Sequence, residues 1–311
     1  MRQKKFWRIF LNNLQRANSY DIMNLSYLFL ILANAIWGMM APLGKHAMSH
    51  GIDAFEMVSL RVMGGALSFW IASLFIKQEK IAKKDWWYLL GAALFAIVFN
   101  QCLYTTGLSL TSPINASLIT TLLPIVTLIL SLIILRDKIS WKRASGVIIG
   151  LIGAVILIAS RQQEGGQEAS FWGNLCCIMA QFSFALYLIL FKKVISRYHV
   201  ITCMKWMMTF ASLMIWPFTY QEVAGIAWAD LSLRVYGETA WVVFGGTFFS
   251  YLFMTKAQQQ LAPTIVSMYT NIQPLVSTIA SVALGLGIFG WSQASAALLV
   301  IAGVYMVTHS K

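Results

Sequence analysis

The sequence predicts an all-α membrane protein of ten transmembrane helices, arranged as two inverted five-helix repeats. Three observations predict it. Hydrophobic residues make up 59% of the chain and charged residues 11%, against about 25% charged in soluble domains. An ungapped shift of 150 residues lays Pro113 on Pro263, Ser117 on Ser267, Thr120 on Thr270, Pro124 on Pro274, Trp141 on Trp291 and Gly153 on Gly303. The basic residues fall on alternate sides of successive apolar runs.

Each apolar run is about 20 residues, enough to cross a hydrocarbon core of about 30 Å as a helix. Backbone groups in lipid must bond within their own segment, and the strand alternation of a barrel is absent. The runs are 25–47, 55–76, 86–106, 113–135 and 142–160, then 172–191, 201–219, 239–260, 263–286 and 289–308. They divide the chain into a first repeat at 25–160 and a second at 171–308. The longest connection, 220–238, is only moderately polar. A weaker match, at a shift of 147, places Asn34 on Gln181 and Lys45 on Lys192.

Residues 1–24 form a basic amphipathic segment. Phe6, Trp7, Phe10, Leu11 and Leu14 share a helical side near Lys4, Lys5 and Arg8. Two readings fit: a helix on the inner leaflet, or a chain whose compact ten-span body opens at Met23. The apolar run from Leu25 is too long for a cleaved signal peptide.

The net charge of +12 does not mark a nucleic-acid partner. With the N-terminus inside, most of the 23 Lys and Arg residues occupy inner segments, among them Lys77, Lys80, Lys83, Lys84, Arg136, Lys138, Lys192, Lys193 and Arg197. The outer side keeps Lys45, Arg161 and Arg234 with most of the acids. This is the positive-inside pattern, and it puts both termini in the cytoplasm. An odd number of spans per repeat then turns the second repeat over. The lipid bilayer is the partner that the charge faces.

The fourth and ninth spans carry a matched stripe: Ser117, Thr120, Pro124, Thr127 and Ser131, repeated as Ser267, Thr270, Pro274, Ser277 and Ser281. Steps of three and four keep these on one helix face. Each proline frees the carbonyl four residues back, of Thr120 and Thr270, which in lipid must find a partner or line a cavity. Small-residue packing with a kink accounts for any one of them. Their pairing on mated helices favours a cavity between the repeats.

Other polar groups extend the candidate site: Asn34 and Trp37 on the first span, Asn100 and Tyr104 on the third, Gln181 and Tyr187 on the sixth, Tyr251 on the eighth, Asn271 and Gln273 beside Pro274. Each alone fits ordinary interhelical bonding. Together they read as a pocket of amides, hydroxyls and rings that suits an uncharged or zwitterionic solute with an apolar part. The residues selected to bind substrate are Asn34, Trp37, Asn100, Tyr104, Thr120, Gln181, Tyr251, Thr270 and Asn271. Arg61 is expected to pair with Glu56 or reach outward, the alternative being a meeting with a substrate carboxylate at the outer mouth. Lys205 is expected to snorkel, and Lys45 and His46 to mark topology. The Gly64-Gly65 and Gly245-Gly246 pairs read as close-packing points.

No Asp or Glu lies near the middle of any span, which argues against proton-coupled export of cations. The cationic side chains that phosphate esters need are sparse. No phosphate-cradling loop supports ATP-driven transport. Cys102, Cys176, Cys177 and Cys203 read as apolar filler, and the four histidines form no catalytic or metal grouping. No cofactor, metal site or enzyme activity is expected.

The chain resembles the drug/metabolite transporter superfamily, in its EamA-type ten-span branch. The resemblance rests on the five-plus-five duplication, the opening Asn34-Ala-Ile-Trp37-Gly38, Arg61, the Leu-Pro124 helix with its Arg136-Asp137-Lys138 exit, and the series Gly146, Gly150, Gly153. Asp137 fills the family's acidic position after the fourth span, but Gly287 stands after the ninth. The resemblance implies a bacterial inner-membrane permease, commonly an exporter of amino acids or related metabolites. The partner is then a small-molecule metabolite, with multidrug efflux and a non-transporting membrane receptor or assembly factor as rival readings and a homodimer left open.

Overall fold

The computed structural model describes residues 19–135, 170–285 and 290–308, with 141, 145–146, 148–149 and 152. The 1–24 segment up to residue 18 and nearly all of the fifth predicted span lie outside the described residues. The rest is helical, and no strand occurs among the described residues. Nine long helical columns are present among them: 19–48, 54–73, 85–110, 113–135, 171–190, 200–225, 233–260, 263–283 and 291–308. Six of these are long and apolar enough to cross a membrane.

Local chemistry sets the ends. Asp53 accepts from the Glu56 amide at 2.8 Å while the Glu56 carboxylate accepts from the Asp53 amide at 2.7 Å, a capping box that starts the second helix. Ser112, Ser170 and Ser232 accept from the amides three residues on. Pro113 and Pro263 occupy first-turn positions, where a missing amide costs nothing.

Several boundaries differ from expectation. The first helix is already formed at Ser19. The seventh runs to Gly225 and the eighth begins at Leu233, so the 220–238 connection shrinks to a short link holding the Trp228–Asp230 turn. Exposed polar residues such as Gln221 and Glu222 simply continue the helix beyond its apolar part. The third and eighth helices switch to π geometry at Leu94–Phe99 and Trp241–Phe249. Apolar periodicity does not reveal such a switch, because a π segment changes bonding and not residue type.

The two halves interleave. The principal packing pairs are second with seventh, third with sixth, first with eighth, first with ninth, fourth with sixth and fourth with ninth. The 150-residue shift converts first–eighth into sixth–third and first–ninth into sixth–fourth, and maps the other two pairs onto themselves. The self-mapped pairs run antiparallel. Ser59 bonds Thr219 where Trp70 bonds Thr209, so numbering rises on one helix as it falls on the other. Thr270 meets Thr120 where Ser277 meets Pro113.

Glycines allow these crossings. A β carbon on Gly107 would lie 2.7 Å from the Gly173 carbonyl, one on Gly65 would lie 2.8 Å from Thr247 Cγ2, and one on Gly246 would lie 2.6 Å from Met40 Sδ. The Gly64-Gly65 and Gly245-Gly246 pairs thus sit at close helix contacts.

Candidate functional site

The proline stripes face inward. Ser117, Thr120, Thr127, Ser131, Ser267, Thr270, Ser277 and Ser281 are all buried. At the level of the prolines both helices tighten to a 3-10 turn, Thr120–Leu122 in one and Tyr269–Asn271 in the other. The freed Thr120 carbonyl accepts from the Leu123 amide, and Thr270 Oγ1 donates to it from across the repeat boundary at 3.4 Å. A second mated pair meets nearby. Gln101 Nε2 donates to the Tyr251 hydroxyl at 3.2 Å, and that hydroxyl donates to Ala96 O at 2.9 Å inside the first π segment. Both contacts join residues 150 apart, so they sit where the two repeats exchange.

Around these contacts lies a cavity of about 50 Å³, lined by Trp37, Met40, Arg61, Asn100, Gln101, Tyr104, Thr120, Leu123, Gln181, Phe184, Tyr251, Thr270 and Gln273. That volume holds a few water molecules. Its wall has an aromatic side and a polar side. The Trp37 ring meets Phe184 and Tyr251 edge-on, with centroids 6.1 and 5.5 Å apart, and its Nε1 donates to Gly246 O at 2.7 Å. Asn100 Nδ2 donates to Ala180 O at 2.9 Å. No carboxylate stands in the lining.

Seven of the nine residues selected from sequence line this cavity. Asn34 sits just behind it, donating to Leu30 O and accepting from Gln273 Nε2 at 2.7 Å. Asn271 is not in the lining: its amide donates to Met268 O of its own helix at 2.7 Å. Gln273 takes its place, because it stands three after Thr270 and four before Ser277 and so shares their face. Gln101 carried a signal too, as the mate of Tyr251 under the shift.

Arg61 departs most from expectation. It does not reach Glu56, whose carboxylate serves the capping box. It points into the cavity, with Nε donating to Thr247 Oγ1 at 3.1 Å and Nη1 at 3.5 Å from Thr105 Oγ1. Lys205 donates to Gln78 Oε1, on the connection after the second helix, at 3.0 Å and lies 4.5 Å from the Trp70 ring.

Charged clasps tie the halves together at each end of the bundle. Where the first helix ends and the eighth begins, buried Glu238 receives His46 Nδ1 at 2.7 Å and Arg234 Nε at 2.9 Å. Where the third begins, Asp85 receives Arg197 Nη1 at 3.0 Å and the Tyr198 hydroxyl at 2.7 Å. The aligned lysines also cap helix ends, Lys45 on Ser109 O at 2.6 Å and Lys192 on Leu261 O. Lys45 and His46 thus have structural roles at this end of the bundle.

The EamA-like transporter family matches residues 24–159 and 171–309. The uncharacterized transporter YyaM of Bacillus subtilis is 25% identical over 281 residues, spanning 88% of this chain and 86% of that one. An S-adenosylmethionine uptake transporter of Rickettsia prowazekii is 26% identical over 193 residues, 62% of this chain and 61% of that one. A solved crystal structure shares the fold, with a TM-score of 0.68 over 91% of this chain and 95% of that one at 15% identity. Two family matches, one per half, on a helical bundle with its polar cavity at the repeat boundary place this chain in the EamA-like transporter family: it is a membrane transporter and not an enzyme.

Proposed function

We propose that this transporter is a secondary carrier that exports a small neutral or zwitterionic metabolite, an amino acid or related compound. It works by alternating access in a ten-helix bundle of two inverted five-helix repeats, in a bacterial inner membrane with both termini cytoplasmic. The observation that carries the reading is the acid-free cavity of amides, hydroxyls and rings at the crossing of mated helices. Rings cover the apolar part of the solute and amides bond its polar end. S-adenosylmethionine, the solute in the Rickettsia relative's name, also has a zwitterionic amino-acid end.

The test is a comparison of metabolites in the medium of cells with and without the protein, followed by flux in proteoliposomes driven by a gradient of the solute that responds. Thr120→Val is expected to insert normally and to slow flux roughly two- to tenfold, since one lost hydrogen bond to a polar solute is worth about 0.5–1.5 kcal/mol. Resistance to bulky cations without metabolite flux would replace this reading with multidrug efflux. No flux of any kind would replace it with a non-transporting receptor or assembly factor.

The clasps supply the two gates that such a mechanism requires. Opening toward one face parts His46 from Glu238; opening toward the other parts Asp85 from Arg197. Asp85→Asn and Glu238→Gln are therefore expected to bias the carrier in opposite directions. A Thr120→Cys reporter in a background free of other cysteines measures this: an impermeant thiol reagent labels it faster from the face whose clasp was weakened. Equal labelling from both faces in both variants would exclude the gating role.

A further inference from the structure

We infer that Arg61 is the docking point for a carboxylate of the transported solute. The inference rests on the carrier reading above and gives its substrate a chemical class.

Arg61 is 4% exposed and lines the central cavity. A guanidinium stays protonated, so this is a fixed positive charge in a low-dielectric site. Buried charges are normally paired, because an uncompensated one carries a large desolvation cost. The ion pairs of the described residues involve His46, Arg197 and Arg234 only. The oxygens that Arg61 does meet are the hydroxyls of Thr247 and Thr105. They occupy Nε and, at long range, Nη1, which leaves Nη2 without a partner. The side facing the cavity therefore keeps donors for a planar anion, whose two oxygens match the fork of a guanidinium.

The charge balance selects the anion. One arginine supplies one positive charge, Lys205 being turned away toward Gln78 and Trp70. A carboxylate neutralises it one to one. A phosphate monoester would bring a second negative charge with no cation to meet it.

Further polar groups await the rest of the solute. Gln101 Oε1 is buried with no hydrogen-bond partner. The Gln181 side chain, 6% exposed and in the same lining, makes no hydrogen bond among the described residues. Two amides can receive an ammonium while Arg61 holds the carboxylate and the Trp37–Phe184 wall covers an apolar side chain. The pseudo-symmetry breaks here in a useful way. The residue matching Arg61 at the 147 shift is Met208, so only one half carries the charge and the solute has one preferred orientation.

The test measures thermal unfolding of the purified full-length protein with each of the common L-amino acids and with its C-terminal carboxamide as a matched probe. At least one acid is expected to raise the unfolding midpoint where its carboxamide does not. Arg61→Gln should weaken binding of that acid about ten- to a hundredfold, the range for losing hydrogen bonds to a charged group. Arg61→Lys should keep part of the preference, since it keeps the charge and loses the fork. Thr247→Val removes the internal bond to Nε and should retain the preference for the acid; a purely structural Arg61 would make it behave like Arg61→Gln. Equal stabilisation by acid and carboxamide, a preference that survives Arg61→Gln, or no shift with any acid would overturn the inference. A protein that exports a solute lacking a carboxylate would fail this test while passing the flux test, which separates the two readings.

Discussion

Replacing Gly107 by leucine is expected to part the third and sixth helices and to leave little folded protein in the membrane. An added β carbon would lie 2.5 Å from Cys177 Sγ and 2.7 Å from the Gly173 carbonyl. The second neighbour is backbone and cannot swing aside. Overpacking by a few methylenes costs about 1–3 kcal/mol where side chains can shift, and a whole leucine side chain against a fixed carbonyl exceeds that. The same helix pair holds the Asn100–Ala180 and Thr111–Asn174 bonds, so separation removes one wall of the cavity as well as stability. Gly107→Ala should give an intermediate loss. Gly225→Ala is the control, because no atom lies within 4 Å of its added carbon. Detergent-extracted yield, monodispersity and unfolding midpoint give the readout. A Gly107→Leu protein as stable as the wild type would mean that this crossing is looser than described.

Trp37→Ala is expected to abolish transport and to lower stability by about 3–5 kcal/mol, the range for truncating a buried tryptophan. Three elements lose contact at once. Phe184 on the sixth helix and Tyr251 on the eighth lose their edge-on partner, and Gly246 O loses its indole donor inside the second π segment. Trp37→Phe separates the effects. It keeps a ring against Phe184 and Tyr251 while the Gly246 carbonyl loses its indole donor, a loss of about 0.5–1.5 kcal/mol. If the aromatic wall is what the solute touches, Trp37→Phe should retain most flux while its unfolding midpoint falls. If both variants transport equally well, the wall is scaffold only.

Much of this protein was legible in one dimension. A duplicated pattern survives as a constant offset, so Thr120 and Thr270, and equally Gln101 and Tyr251, are paired by arithmetic alone. The prolines announced that the Thr120 carbonyl would need another donor, and Thr270 provides one. Periodicity works for such groups because a helix converts spacing directly into a face. It fails where the helix itself changes pitch. Asn271 and Gln273 both flank Pro274, and the 3-10 turn at Tyr269–Asn271 lies just where the face had to be chosen. The π segments at Leu94–Phe99 and Trp241–Phe249 shift the third and eighth helices in the same way.

The sequence by itself determined the helical class, the repeat and most of the residues that meet at its boundary, since each follows from composition or spacing along a single helix. Only the tertiary structure decided where Arg61 points, which amide beside Pro274 faces inward, and that His46 and Asp85 serve clasps at opposite ends. Those are relations between helices. The partner of a long, flexible or charged side chain is set by the rotation and depth of its neighbours, and spacing along one chain segment does not encode them.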